Sequence, residues 1–146
     1  TQGLDIMPEM SPENLERLAQ TLSLPTTTKK TETSTMYVSH PEVNALEFKT
    51  ETIASFRTQY GMLDVLMELP GVGTYDDVVR HANAYKLPEH NIEIKVASLD
   101  DIITSKKTAD RAKDWQALAA LLEAQAELAE NPDVLEVVSE RLRDIT

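Results

Sequence analysis

The chain has 146 residues, with 14 basic against 25 acidic and a net charge of −11, which argues against nonspecific binding of nucleic acid or anionic membrane through overall charge. With no cysteine and only three histidines, disulfides, thiolate metal sites and cysteine nucleophiles are excluded and a histidine-rich zinc site is not expected, so carboxylates are the available metal ligands, and oxygen donors suit magnesium or manganese. No apolar run approaches the roughly 20 residues of a spanning helix, and the N-terminus lacks the basic-then-apolar layout of a signal peptide, so the expectation is a cytoplasmic protein with no membrane association.

In chain order, Leu4-Asp5-Ile6-Met7 reads as a short strand. Ser11-Pro12-Glu13 is a helix start, with Ser as N-cap and Pro at the first helical position; Leu15, Leu18, Ala19 and Leu22 form its apolar stripe, and Pro25 ends it. Residues Thr26 to Thr35 are rich in Thr and Lys without an apolar residue, which predicts a loop. Ile53 to Thr58 and Met62 to Glu68 are strand candidates around a Tyr60-Gly61 turn, with Asp64 inside the second.

Thr74, with Asp77 three residues on, resembles a capping box and opens a helix through Val78, Val79 and Ala82. Ile92, Ile94 and Val96 alternate with Glu93 and Lys95, predicting a half-buried strand. Ser98 and Asp101 repeat the capping pattern ahead of a short helix carrying Leu99, Ile102 and Ile103. A longer helix is expected from about Ala112 to Glu130, with Trp115, Leu118, Ala119 and Leu122 on one stripe, and another from Asn131-Pro132 with Val134, Leu135, Val138 and Leu142.

These elements predict an α/β or α+β fold: a small mixed sheet of about four strands with packed helices, organised as a single domain over 1–146. Its sheet-containing part spans about 1–97 and its C-terminal helices about 98–146. A strand at residues 4 to 7 would form an open edge, so a preceding segment, a partner chain or a second copy is expected to join it.

Five charges sit where the apolar pattern does not expect them. Leu99, Ile102, Ile103 and Lys106 occupy positions i, i+3, i+4 and i+7, which turns Lys106 inward and leaves Lys107 at the flank. Read backward from Trp115, Leu118 and Leu122, Arg111 and Asp114 lie next to the inward stripe of the following helix, so the three charges are expected to face one another at the helix junction. The plainer account makes Lys106 a snorkelling side chain and Arg111–Asp114 an ordinary surface pair. Asp5 and Asp64 each stand between apolar neighbours on a strand, where Asp is depleted. Each either points to the solvent side of the pleat or joins the other as a carboxylate pair for a divalent ion that bridges phosphate oxygens.

Taken in order, Thr1 to Pro8, Ser11 to Ala19, Tyr60-Gly61-Met62-Leu63-Asp64-Val65, the Leu69-Pro70-Gly71-Val72-Gly73-Thr74-Tyr75 turn, and Val96 to Lys106 through Arg111-Ala112-Lys113-Asp114 resemble bacterial nucleotidyltransferase-fold proteins over about residues 1 to 122. More distantly they resemble the nucleotidyltransferase-like toxins of toxin-antitoxin and abortive-infection systems. The resemblance implies Mg²⁺-assisted transfer of a nucleoside monophosphate from a nucleoside triphosphate, with RNA ends, a protein hydroxyl or a small molecule as acceptor. It makes Asp5 and Asp64 metal ligands, Lys106 a triphosphate contact, Asp114 a further catalytic acid, and Arg111 a phosphate partner or a buttress for Asp114.

The sequence departs from that family in two places. Gly3 stands where the family has the first Asp of Asp-x-Asp, and the strand ending in Gly-Gly with its phosphate-holding short helix does not precede the motif. Three readings follow: a nucleotidyltransferase-like enzyme or part of one, a catalytically degenerate relative that still binds a nucleotide through Lys106 and Arg111, or an interaction protein that docks a partner or a second copy through its N-terminal edge and acidic C-terminal helices.

Overall fold

A computed structural model describes residues 3–30, 36–39 and 42–130. The chain divides into two compact units, the first comprising Thr1–Leu69 with Thr74–Asp76 and the second Pro70–Gly73 with Asp77–Thr146. The class is mixed α/β with a helical C-terminal part, as the sequence pattern predicts.

The first unit holds β1 (Gly3–Ile6), α1 (Pro12–Leu22), β2 (Thr28–Lys30), β3 (Tyr37–Ser39), β4 (Ile53–Thr58) and β5 (Gly61–Leu66). Its sheet runs in the order β1-β5-β4-β2-β3. β1 pairs parallel with β5, and every other pair is antiparallel. Pro12 sits at the start of α1 as expected, but Ser11 does not cap with its side chain. Its hydroxyl instead donates to Glu9 Oε2 at 2.5 Å, and the Asn14 amide donates to the Glu9 carbonyl at 2.8 Å. Leu15, Ala19 and Leu22 of α1 pack on Phe48, Ala54, Phe56, Val65 and Met67 to form the core. Full burial of one such side chain is worth about 1.5–3 kcal/mol, so the cluster fixes which face of β4 and β5 turns inward. A one-residue slip would expose all of it.

The segment read as a loop from Thr26 to Thr35 contains β2, and β3 follows it. β2 lacks an apolar pattern because its inward group is Lys29, held by an ion pair with Glu47 and another with Glu51 at 3.1 Å. Burial lowers the Lys29 pKa, but Glu47 and Glu51 outweigh it and leave it raised above the ordinary value. Partnered charge here does the work that hydrophobic alternation does in β4.

The second unit holds an antiparallel ribbon of β6 (Asn83–Leu87) and β7 (Ile92–Val96), then α3 (Leu99–Ala109) and α4 (Ala112–Glu130). The short α2 (Tyr75–Val79) spans the division and stops before Ala82. Ser98 caps α3 as expected, its hydroxyl accepting from the Asp101 N–H at 3.1 Å. β7 was expected to be half-buried; every residue in it is exposed. Ile94 lies opposite Tyr85 and Ile92 opposite Leu87, so its apolar residues pack laterally in cross-strand pairs. The stripe of α4 is also rotated from the expected one. Asp114, Ala117, Leu118, Leu121, Gln125 and Leu128 are buried or half-buried, while Trp115 is 55% and Leu122 40% exposed. The helix predicted from Asn131-Pro132 lies outside the described residues.

Candidate functional site

Parallel pairing of β1 with β5 sets Asp5 directly beside Asp64. Residues in register share a face of the sheet, and neighbouring strands lie about 4.8 Å apart. The core face is taken by Ala54, Phe56 and Val65, so alternation turns both carboxylates to the opposite face. Asp5 is exposed and Asp64 half-buried. Among the described residues Asp64 has no hydrogen-bond or ion-pair partner, although a half-buried carboxylate is costly without one.

Position 3 lies on this face too, opposite Met62. A Cβ added at Gly3 would meet the Met62 Cβ at 2.9 Å and its carbonyl oxygen at 3.0 Å. An acid there would have to push β1 away from β5, so the strands as packed favour glycine.

Farther across the same face, Ser55 lies opposite Asp64 and Arg57 opposite Met62. The Arg57 guanidinium stands over the Tyr37 ring, 4.6 Å from its centroid, and the Tyr37 hydroxyl is 3.9 Å from Met62 Sδ. Lys30 lies opposite Tyr37. Sequence reading passed over Arg57, Tyr37 and Lys30. The period-two alternation of Ser55 and Arg57 with Ala54 and Phe56 was the available signal for Arg57, whereas β2 and β3 had none.

The other predicted residues gather around Asp114, in the second unit. Arg111 Nε donates to Asp114 Oδ2 at 2.5 Å and Arg111 Nη2 to Oδ1 at 3.2 Å. Lys106 Nζ lies 3.5 Å from Oδ1. Asp114 is 2% exposed, so this is no ordinary surface pair: a buried carboxylate on the inward stripe is answered by two cations. Hydrogen bonds from Arg111 hold its pKa below the ordinary carboxylate value against the opposing effect of burial, and the charges of Arg111 and Lys106 add to that. Lys106 is half-buried and Lys107 exposed, as the stripe predicted. The turn into α4 is locked by Asp110, left-handed at φ 49°, whose carboxylate accepts from Trp115 Nε1 at 2.7 Å.

The structure therefore brings Asp5 together with Asp64, and Lys106 and Arg111 together with Asp114. Asp101 is a further polar group that sequence reading saw only as a cap residue. Its buried Oδ2 makes no hydrogen bond, and His81 Nδ1 lies 3.4 Å away. Among the described residues no three His, Cys, Asp or Glu side chains are grouped to hold a metal ion, and no helix is long and apolar enough to cross a membrane. No family model, curated protein or solved structure matches the chain.

Proposed function

We propose that the chain is a nucleotidyltransferase-like cytoplasmic protein in which Asp5 and Asp64 hold Mg²⁺ and a nucleoside triphosphate donates its nucleoside monophosphate to an acceptor, with release of pyrophosphate. The observation that carries this reading is the in-register Asp5–Asp64 pair, with Asp64 half-buried and unpartnered among the described residues. Two carboxylates fit this ion, because Mg²⁺ keeps several waters and is commonly bound through one or two carboxylates plus substrate phosphates. When bound, it supplies neutralising charge to phosphate oxygens.

The remaining roles come from the chain's own cations. Lys106 has three donors and offers Asp114 a contact at 3.5 Å, so it completes the cluster around that carboxylate within the second unit. Arg111 commits both its Nε and Nη2 to Asp114 and so acts as the buttress that keeps Asp114 charged beside Lys106. Asp114, fully engaged in this way, orients Lys106.

A second reading is favoured by Gly3. With no acid at that position and no room for one beside Met62, Mg²⁺ affinity falls and the chain is a nucleotide-binding relative without transfer activity. A transfer assay with labelled nucleoside triphosphate and Mg²⁺ separates the two. Label transfer above an Asp64→Ala control supports the enzyme; calorimetric binding of triphosphate without transfer supports the degenerate binder; neither transfer nor binding defeats both.

A further inference from the structure

We infer that the sheet face bearing Asp5 and Asp64 carries a separate phosphate-binding subsite at its other side, built from Arg57 stacked on Tyr37 with Lys30 beside it. The register segregates charge across one face. Asp5 and Asp64 occupy β1 and β5, whereas Arg57 and Lys30 occupy β4 and β2. Arg57 lies diagonal to Asp64 across the β4–β5 pair, yet its guanidinium turns to the Tyr37 ring rather than to that carboxylate. Among the described residues neither Arg57 nor Lys30 makes an ion pair.

In a chain of net charge −11, two exposed cations on one face, neither ion-paired among the described residues, offer a site for an anion. The ring holds the guanidinium plane in place, so its donors are ordered before a ligand arrives and less rotamer entropy is lost on binding. A planar fork of donors with exposed edges suits the oxygens of a phosphate group. Arg57 lies one strand interval from β5 and Lys30 two, about 5 and 10 Å, and the guanidinium turns toward Tyr37, which sets the phosphate at Arg57 apart from one held at the carboxylate pair. The ligand thus spans both ends of the face or presents two phosphates, and its assignment to a nucleotide-containing ligand rests on the function proposed above.

The test is calorimetric titration of the full chain with tripolyphosphate in the presence of chelator, so that no divalent ion takes part. Asp64→Ala, which removes a nearby negative charge, is expected to bind at least as tightly as wild type, and Arg57→Ala about tenfold more weakly, the scale of one charge-assisted contact. Tyr37→Leu, which keeps the cation and removes its support, is expected to weaken binding by a smaller factor. Absence of binding to wild type, or equal affinity for wild type and Arg57→Ala, overturns the subsite. Repeating the titration with ribose 5-phosphate distinguishes a site for a single phosphoryl group, which this ligand would also occupy, from one that requires the polyphosphate of a triphosphate. Loss of Mg²⁺ binding in Asp64→Ala is read separately, so the subsite and the metal reading fail independently.

Discussion

Asp64 and Asp114 are both partly or wholly withdrawn from water, and they are opposite in electrostatic state. Asp114 is 2% exposed and answered by Arg111 at 2.5 Å and Lys106 at 3.5 Å. Asp64 is half-buried beside a second carboxylate, with no cation of the described residues to answer it. A buried charge that is paired and hydrogen-bonded belongs to the architecture, whereas a half-buried one without a partner is costly to hold. The comparison teaches that the same residue type, equally out of place in an apolar pattern, completes a helix junction in one unit and stands without a cation among the described residues in the other.

The largest effect expected from breaking this contrast is at Asp114. Asp114→Ala removes the buried carboxylate that Arg111 and Lys106 share at the α3–α4 junction and is expected to lower the melting temperature by several degrees, read by thermal unfolding followed by circular dichroism. Unchanged melting would mean that the cluster contributes nothing to folding.

Acid titration sharpens the same point. The folded pKa of Asp114 is depressed, so its contribution is complete above the unfolded carboxylate value of about 4 and is lost as pH falls through the lower folded value. Between about pH 5 and pH 2, wild type should lose more stability than Asp114→Asn, whose curve should be flatter. Within the cluster, Arg111→Met should raise the Asp114 pKa more than Lys106→Met, because Arg111 supplies the leading contribution. Carboxyl titration followed by NMR would reveal the reverse order if that assignment is mistaken.

Smaller effects are expected on the sheet. Mg²⁺ at tenfold above its dissociation constant should stabilise wild type by about 1.4 kcal/mol and leave Asp64→Ala unaffected. In chelator, Asp64→Asn relieves a like-charge pair and should raise stability by about 0.2–1 kcal/mol. A destabilised Asp64→Asn would indicate that Asp64 has a structural role like that of Asp114.

Both contrasting sites were legible in part. The i, i+3, i+4, i+7 spacing of Leu99, Ile102, Ile103 and Lys106 turned Lys106 inward, and its meeting with Arg111 and Asp114 follows from that pattern. The same reasoning placed Asp114 beside the inward stripe of α4, but it lies on it. Trp115 drew the stripe by one position because its size suggested burial, whereas its indole N–H serves Asp110 at the turn. On the sheet, Asp5 and Asp64 stood out among apolar neighbours, but only long-range pairing could show them to be in register. β2 stayed hidden because its inward group is a lysine compensated by Glu47 and Glu51, far along the chain. β7 carries an alternation indistinguishable from that of a half-buried strand, and its exposure depends on what packs against it, whereas β6, with Tyr85 and Leu87 half-buried, was not read as a strand.

The central claim is that Asp5 and Asp64 hold a divalent ion while the Asp114 cluster does not need one. The direct measurement is Mn²⁺ binding followed by electron paramagnetic resonance of the free ion, on wild type, Asp64→Ala and Lys106→Met. The account predicts binding to wild type and Lys106→Met and its loss in Asp64→Ala; failure of wild type to bind, or equal binding by Asp64→Ala, would contradict it.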